Sequence, residues 1–347
     1  MSVATTLWEV RQELVQAFHI AIIHGIVATW QRCDSLETIP QEPDFVGGLV
    51  LESTPLIYWV LKSILAPSGV SVSMCAVFCH QKPEVAFTSF QKGTCELGDV
   101  LFAYAHTPKV GLCRRNALLC QAKASAKQPY HIHISEKNQL CLYSNWPDFE
   151  YQRSSNLTGQ KRFVTPKAPH AGAQYLLIDD RPPEEPMSGL LGFPGTYPIG
   201  CCMPDETLRD HSHLASELFD LFIFRTGRPF EDRKTASQKH DWSHVVWDLL
   251  EAGMRNTFNR KISGRYLSPR TAGGTIDMMD GSSFAMTTSL VPLSTATEIL
   301  GWQKASILYA QESDIPPDNH IKREFGEEPE AGVSVVLIET SEREAEG

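Results

Sequence analysis

The sequence has little that would place it in a membrane or a secreted compartment. Its longest apolar stretch, AFHIAIIHGIVATW at 17–30, runs fourteen residues and carries two histidines. That is too short to cross a bilayer, and Glu9 and Glu13 precede it. No basic region leads into it, so a secretory leader is not expected. Cytoplasmic residence, with no membrane partner, is the expectation. Several chemical signatures are also missing. There is no Gly-x-Gly-x-x-Gly dinucleotide fingerprint, no Gly-Lys-Ser/Thr phosphate loop and no Gly-x-Ser-x-Gly elbow. CxxC pairs, HExxH and the Pro-Cys-x-x-Cys of zinc deaminases are absent too. Internal repeats and long low-complexity segments are likewise missing.

Nine cysteines are present, at 33, 75, 79, 95, 113, 120, 141, 201 and 202. Their odd number and their place in apolar runs fit buried, reduced thiols better than a disulfide framework. Cys75, Cys79 and His80, the group Cys201, Cys202, His211 and His213, and the pair His131-x-His133 are the sites a structural zinc would use. None has the spacing that makes a strong case.

The formal net charge of −10 argues against a nucleic-acid partner until its distribution is read. Residues 100–180 hold ten Lys/Arg against five Asp/Glu, a net of +5, and residues 225–270 hold the same ten against five. Residues 306–347 hold three against eleven, a net of −8. Phosphate binding needs a local positive patch rather than a basic whole protein.

At 347 residues the chain is long enough for two domains, divided here as 1–180 and 181–347. Leu7, Val10, Leu14, Phe18 and Ile22 keep helical spacing and predict a helix over 5–31. Asp44–Glu52 and Pro55–Leu65 read as two helical pieces. Val70–Cys79 reads as a strand, Pro83 as an edge or turn, and AQYLLID at 173–179 as the last strand of the first half. The Pro/Gly-rich segment 181–198 is a boundary or long loop. Beyond it, helices are predicted over Glu206–Phe224, Asp241–Phe258 and Thr297–Gln311, a strand over Val333–Ile338, and a disordered tail over SEREAEG. The fold class is α+β with a mixed sheet and a mainly helical C-terminal half.

The chemistry concentrates in CELGDVLFAYAH at 95–106 and RNALLCQAK at 115–123. Both hold apolar, β-prone runs, and the polar, Gly-containing TPKVGLCR between them suits a hairpin. Side chains alternate along a strand, so Gln121 and Lys123 share a face while Ala122 points away. Asp99 then lies at the matching end of the neighbouring strand. An acid on one strand and a polar-x-Lys on the next is a minimal kit for metal-assisted phosphodiester hydrolysis. In it Asp99, the Gln121 amide oxygen and the Ala122 carbonyl hold the cation, and Lys123 orients water or stabilises charge on phosphorus.

This constellation resembles the PD-(D/E)xK, restriction-endonuclease-like superfamily over roughly residues 40–180, about two fifths of the chain. Asp99 matches the first acid, Gln121 the second and Lys123 the lysine. Gln121 departs from the commoner Asp or Glu, although some branches carry glutamine there. The resemblance implies a restriction-endonuclease-like mixed sheet flanked by helices and a Mg²⁺- or Mn²⁺-dependent endonuclease acting on DNA rather than RNA. A helical acid, Glu42 or Glu52, would join the metal shell, and Glu96 lies in the turn before Asp99. His80, Arg114, Arg115, Lys127, Lys161 and Arg162 are the candidate nucleic-acid contacts, with Arg255, Arg260, Lys261 and Arg265 as a second block. By analogy such a protein serves antiviral defence or repair, as a homo-oligomer or beside a partner from a multi-gene system. Residues 181–347 would be a clamp, an oligomerisation surface or a sensor. The alternative is a nuclease-fold binding or assembly protein that has lost its metal, and Gln121 is the residue that favours it.

Overall fold

A computed structural model describes residues 3–35, 37–79, 83–87, 93–127, 129–154, 157–165, 167, 172–182, 198–239, 241–258, 274–278 and 333–342. The first half opens with α1 (Val3–Glu9) and α2 (Arg11–Ser35), which break the predicted single helix at Val10. Next come α3 (Glu42–Gly48), a π turn (Leu49–Ser53) and α4 (Thr54–Leu65). These run on without a gap, where the sequence suggested two separate pieces. Pro55 would break a regular helix by removing an N–H, and the widened turn directly before it absorbs that loss.

The strands β1 (Ser71–Phe78), β2 (Glu84–Phe87), β3 (Gly93–Glu96), β4 (Val100–Thr107) and β5 (Arg114–Ala124) follow in order. Then come β6 (Tyr130–His131), α5 (Lys137–Asn145), β7 (Phe149–Arg153), β8 (Lys161–Arg162) and β9 (Ala173–Ile178). Past residue 180 lie β10 (Ile199–Cys202), β11 (Thr207–Leu208), β12 (Asp210–His213) and α6 (Leu214–Phe222). The remaining elements are β13 (Arg228–Pro229), α7 (Arg233–Lys239), α8 (Trp242–Phe258), β14 (Gly274–Met278) and β15 (Ser334–Ser341).

The architecture is mixed α+β. The main sheet has the order β12-β10-β9-β5-β4-β15-β1-β14, with β13 also pairing β5. β4 and β5 form the predicted antiparallel hairpin, while β9 runs parallel to β5 and β15 parallel to β4. β2, β3, β7 and β8 make a separate four-stranded sheet. The division at residue 180 falls between β9 and β10, which are neighbours in one sheet. The strand predicted over Val333–Ile338 is present as β15, which runs Ser334–Ser341. Thr297–Gln311 and residues 343–347 lie outside the described residues.

The expected mainly helical second half falls largely on residues outside those described. Among the described residues it contributes six strands beside three helices. The predicted helix at Glu206–Phe224 begins only at Leu214. Asp210, Ser212 and His213 pair with β10 instead, and His213 then caps α6, its Nδ1 accepting the Ser216 N–H at 3.3 Å.

The β4 run from Val100 to Ala105 is apolar because both its faces are buried. Val100, Phe102 and Tyr104 face a core built with α1–α4 and α6. Leu101 and Ala103 face a second core with α5, α8 and the small sheet. Alternation carries the same division into β5. Leu118, Cys120 and Ala122 belong to the first core and Ala117 and Leu119 to the second, so Gln121 and Lys123 share the second side.

The helices of the first core cross closely. A Cβ on Gly25 would lie 2.7 Å from the Gly48 carbonyl oxygen, and one on Gly48 would lie 2.5 Å from that of Gly25. Two helical segments, Arg11–Ser35 and Glu42–Ser68, are long and apolar enough to cross a membrane, which the fourteen-residue count did not suggest. About half of each is buried inside the fold.

Candidate active site

The hairpin register explains why the two motif segments meet. Val100 pairs with Cys120, and the Asp99 N–H donates to the Cys120 carbonyl at 2.9 Å. Asp99 therefore stands beside Gln121, one step before the strand. Its Oδ2 accepts two N–H groups, the Gln121 side-chain amide and the Ala122 backbone at 2.7 Å. Gly98 lets α5 close over this corner, since a Cβ there would lie 2.7 Å from the Tyr143 hydroxyl. That hydroxyl donates to the Leu97 carbonyl at 3.0 Å.

Two donors for one carboxylate oxygen would ordinarily hold an aspartate ionised. Asp99 is instead pushed well above the usual carboxylate range, first by burial, then by the nearby charges of Glu42 and Glu96. The Ala122 N–H and Lys123 oppose this and lose. Glu42, in the first turn of α3, is also raised by burial, although Lys123 and the Ala124 N–H pull it down. Glu96, the last residue of β3, is raised for the same primary reason. Three acids, on α3, at the end of β3 and just before β4, thus crowd one lysine.

Lys123 is 13% exposed and forms ion pairs with Glu136 at 3.1 Å and Glu42 at 3.8 Å. Burial alone would lower its pKa, but Glu42, Glu136 and Asp99 together raise it, so the ammonium is permanent at neutral pH. Glu136 is fixed in its turn. It accepts the Tyr130 hydroxyl at 3.0 Å and the His133 N–H at 2.8 Å, the latter closing a capping box ahead of α5. Despite burial its carboxyl is held below the usual range by that N–H and by Lys123.

The structure therefore brings together Asp99, Gln121, Lys123 and Glu42. Glu52 stays away. It lies ten residues along the same helical run, about 15 Å from Glu42, and faces Arg32 at 3.9 Å. Glu136 was missed by sequence reasoning, because its approach depends on how 130–136 folds back over β5. The one available hint was its place in a His-x-x-Glu capping pattern.

The nucleic-acid candidates scatter. Arg162 is buried at 2% exposure, its Nε 2.6 Å from Asp248, so it is a core ion pair and not a phosphate contact. Arg114 and Arg115 begin β5, so they lie about 30 Å along the strand from Lys123 and do not flank it. Lys161 is exposed and 3.9 Å from Glu150. Lys127 is exposed three residues past the end of β5. Arg255 lies on α8, whereas His80, Arg260, Lys261 and Arg265 fall outside the described residues.

A hard cation is the group that the resemblance implies. The donors at the corner are oxygens, as Mg²⁺ or Mn²⁺ requires, and Gln121 Oε1 is buried with no hydrogen-bond partner. In kind, the residues fit. In arrangement they are occupied by one another, and among the described residues no three His, Cys, Asp or Glu side chains form a group able to hold a metal ion. Compared with known proteins, the chain matches no family model, no curated protein and no solved structure.

Proposed function

We propose that the chain is a divalent-metal-dependent nuclease of the restriction-endonuclease-like kind, cutting DNA in preference to RNA in the cytoplasm. The observation that carries the reading is the corner itself. Asp99, Gln121 and Lys123 lie on one hairpin with Glu42 arriving from a helix, and its acids are raised by burial and by one another. Carboxyls in that state gain from a cation, and pKa shifts of this kind mark functional sites. Asp99, Glu42 and the Gln121 amide oxygen would hold Mg²⁺ or Mn²⁺. The metal would supply charge neutralisation at the scissile phosphate.

The protein's own groups do the rest. Lys123 presents N–H donors to the charge that develops on phosphorus. Glu136 and Glu42 fix the direction of that ammonium, and the Gln121 and Ala122 N–H groups fix Asp99. The β4–β5 hairpin, with β9 running parallel to β5 later in the chain beyond α5, supports the same fold family.

A second reading is favoured by one specific feature. Asp99 Oδ2 is fully engaged by two donors, and Lys123 is clamped by two acids, as in a nuclease fold kept for binding alone. A plasmid-nicking assay with Mg²⁺, Mn²⁺ and EDTA lanes separates the two. The active reading expects nicking that EDTA stops, and Asp99→Ala or Lys123→Ala should lower it at least about 100-fold. Unchanged nicking in either variant removes these residues from catalysis, and no nicking with either metal leaves the binding reading.

A further inference from the structure

At the end of the sheet away from Asp99, three arginines place their guanidinium carbons over aromatic rings. The Arg225 guanidinium is 4.6 Å from the Trp8 ring centre. Arg11 is 5.8 Å from the same ring and 5.4 Å from that of Phe219. Arg114 is 4.0 Å from Phe224. The group is continuous, because Trp8 and Phe219 are 5.9 Å apart and Phe224 and Arg225 are consecutive. All three arginines are exposed, and Trp8 is 48% exposed.

The placement is built into the backbone. After α6 the chain turns through Phe224 in the left-handed region at φ 60°, an unfavourable conformation for an aromatic residue. The Arg225 N–H then bonds the Asp220 carbonyl at 2.8 Å. This turn sets Phe224 beneath Arg114 and Arg225 against Trp8. Stacking holds a guanidinium by its face and leaves its N–H edge available, and that edge matches a phosphate. Among the described residues none of the three makes an ion pair. The acids nearby include Asp220, whose carboxyl is raised by burial and by Glu217 while Arg11 and Arg225 pull it down, and Glu342. Glu342 is engaged by His106 at 3.6 Å and by the N–H groups of Val3 and Lys109.

We propose that this arginine–aromatic face binds single-stranded nucleic acid. The guanidinium edges of Arg11, Arg114 and Arg225 take successive phosphates, and bases stack on the exposed parts of Trp8 and its arginines. Stacking favours unpaired bases over a duplex, whose bases are not offered. The inference does not rest on hydrolysis at Asp99, since the two ends of β5 are separate.

The test is fluorescence anisotropy of a labelled oligothymidine of about 20 nucleotides with the full chain in EDTA, which suppresses metal-dependent cleavage. Three phosphate contacts predict log affinity falling with log salt at a slope of about −2. Arg11→Gln/Arg225→Gln should bind at least tenfold more weakly with a flatter slope, and Trp8→Ala should weaken binding with the slope kept. Melting curves are to match the parent. If the double variant melts early, Arg114→Gln alone, which removes no helix contact, should still flatten the slope. Equal affinity of parent and arginine variants overturns the proposal. So does tighter binding of a polyglutamate peptide or of anionic phospholipid vesicles than of oligothymidine. Cleavage assays read the Asp99 corner separately, so either conclusion can fail alone.

Discussion

Asp99 is the residue on which the site turns, and its state makes a thermodynamic statement. Its pKa is raised in the folded chain, so the native state holds the proton more tightly than the unfolded chain does. Stability linked to Asp99 is therefore intact below the ordinary aspartate range, about pH 4, and is lost as pH rises through the raised value. Asp99→Asn cannot titrate and still accepts the Ala122 N–H. Its melting temperature should exceed the parent's, and the gap should widen from pH 5 to pH 8. Each tenfold of proton affinity corresponds to about 1.4 kcal/mol. A constant gap would mean that Asp99 is not strained. Gln121→Glu probes the same corner from the other side. The amide that donates to Asp99 would become another acid, so in EDTA the variant should melt below the parent. If the corner holds a cation, Mn²⁺ should raise its melting temperature more than the parent's. The Asp99–Gln121–Lys123 set was legible because alternation and a turn are local signals. Arg162 was misread because nothing around it in the sequence points to Asp248, 86 residues later.

Among the elements, α2 and α3 cross closely, backbone against backbone, at Gly25 and Gly48. Gly25→Ala would gain about 1 kcal/mol in helix propensity. The new methyl would meet the Gly48 carbonyl and the Ser53 hydroxyl, however, the former fixed in the backbone. Overpacking of this kind costs about 1–3 kcal/mol, so the variant should melt earlier, as denaturant titration can check. The displacement also bears on function, because α3 carries Glu42 to Lys123. The helical periodicity of α2 and the β4–β5 hairpin could be read directly. The helix predicted over Glu206–Phe224 could not be corrected from sequence, since pairing with β10 and β6 overrides local preference at 207–213.

For the whole molecule the decisive element is β15. It pairs with β4 on one side and β1 on the other, and its Thr340 bonds Tyr104 at 2.8 Å across 236 residues. The sequence marked it as a strand but could not give it a central place, because pairing over that distance leaves no local trace. A chain truncated after residue 180 leaves β1 and β4 without their shared neighbour. It should lack a cooperative melting transition and aggregate, whereas an autonomous 1–180 domain would melt cleanly in calorimetry. The same feature sets a clock. Ribosomes add roughly 5–20 residues per second, so some tens of seconds pass after β4 is made before β15 can slot in. Through that interval two apolar strands wait with open edges. A nascent chain would hold neither a finished sheet nor a finished Asp99 corner. Any strand-cutting capacity would be withheld until translation had passed β15, and the waiting edges would be natural clients for a chaperone.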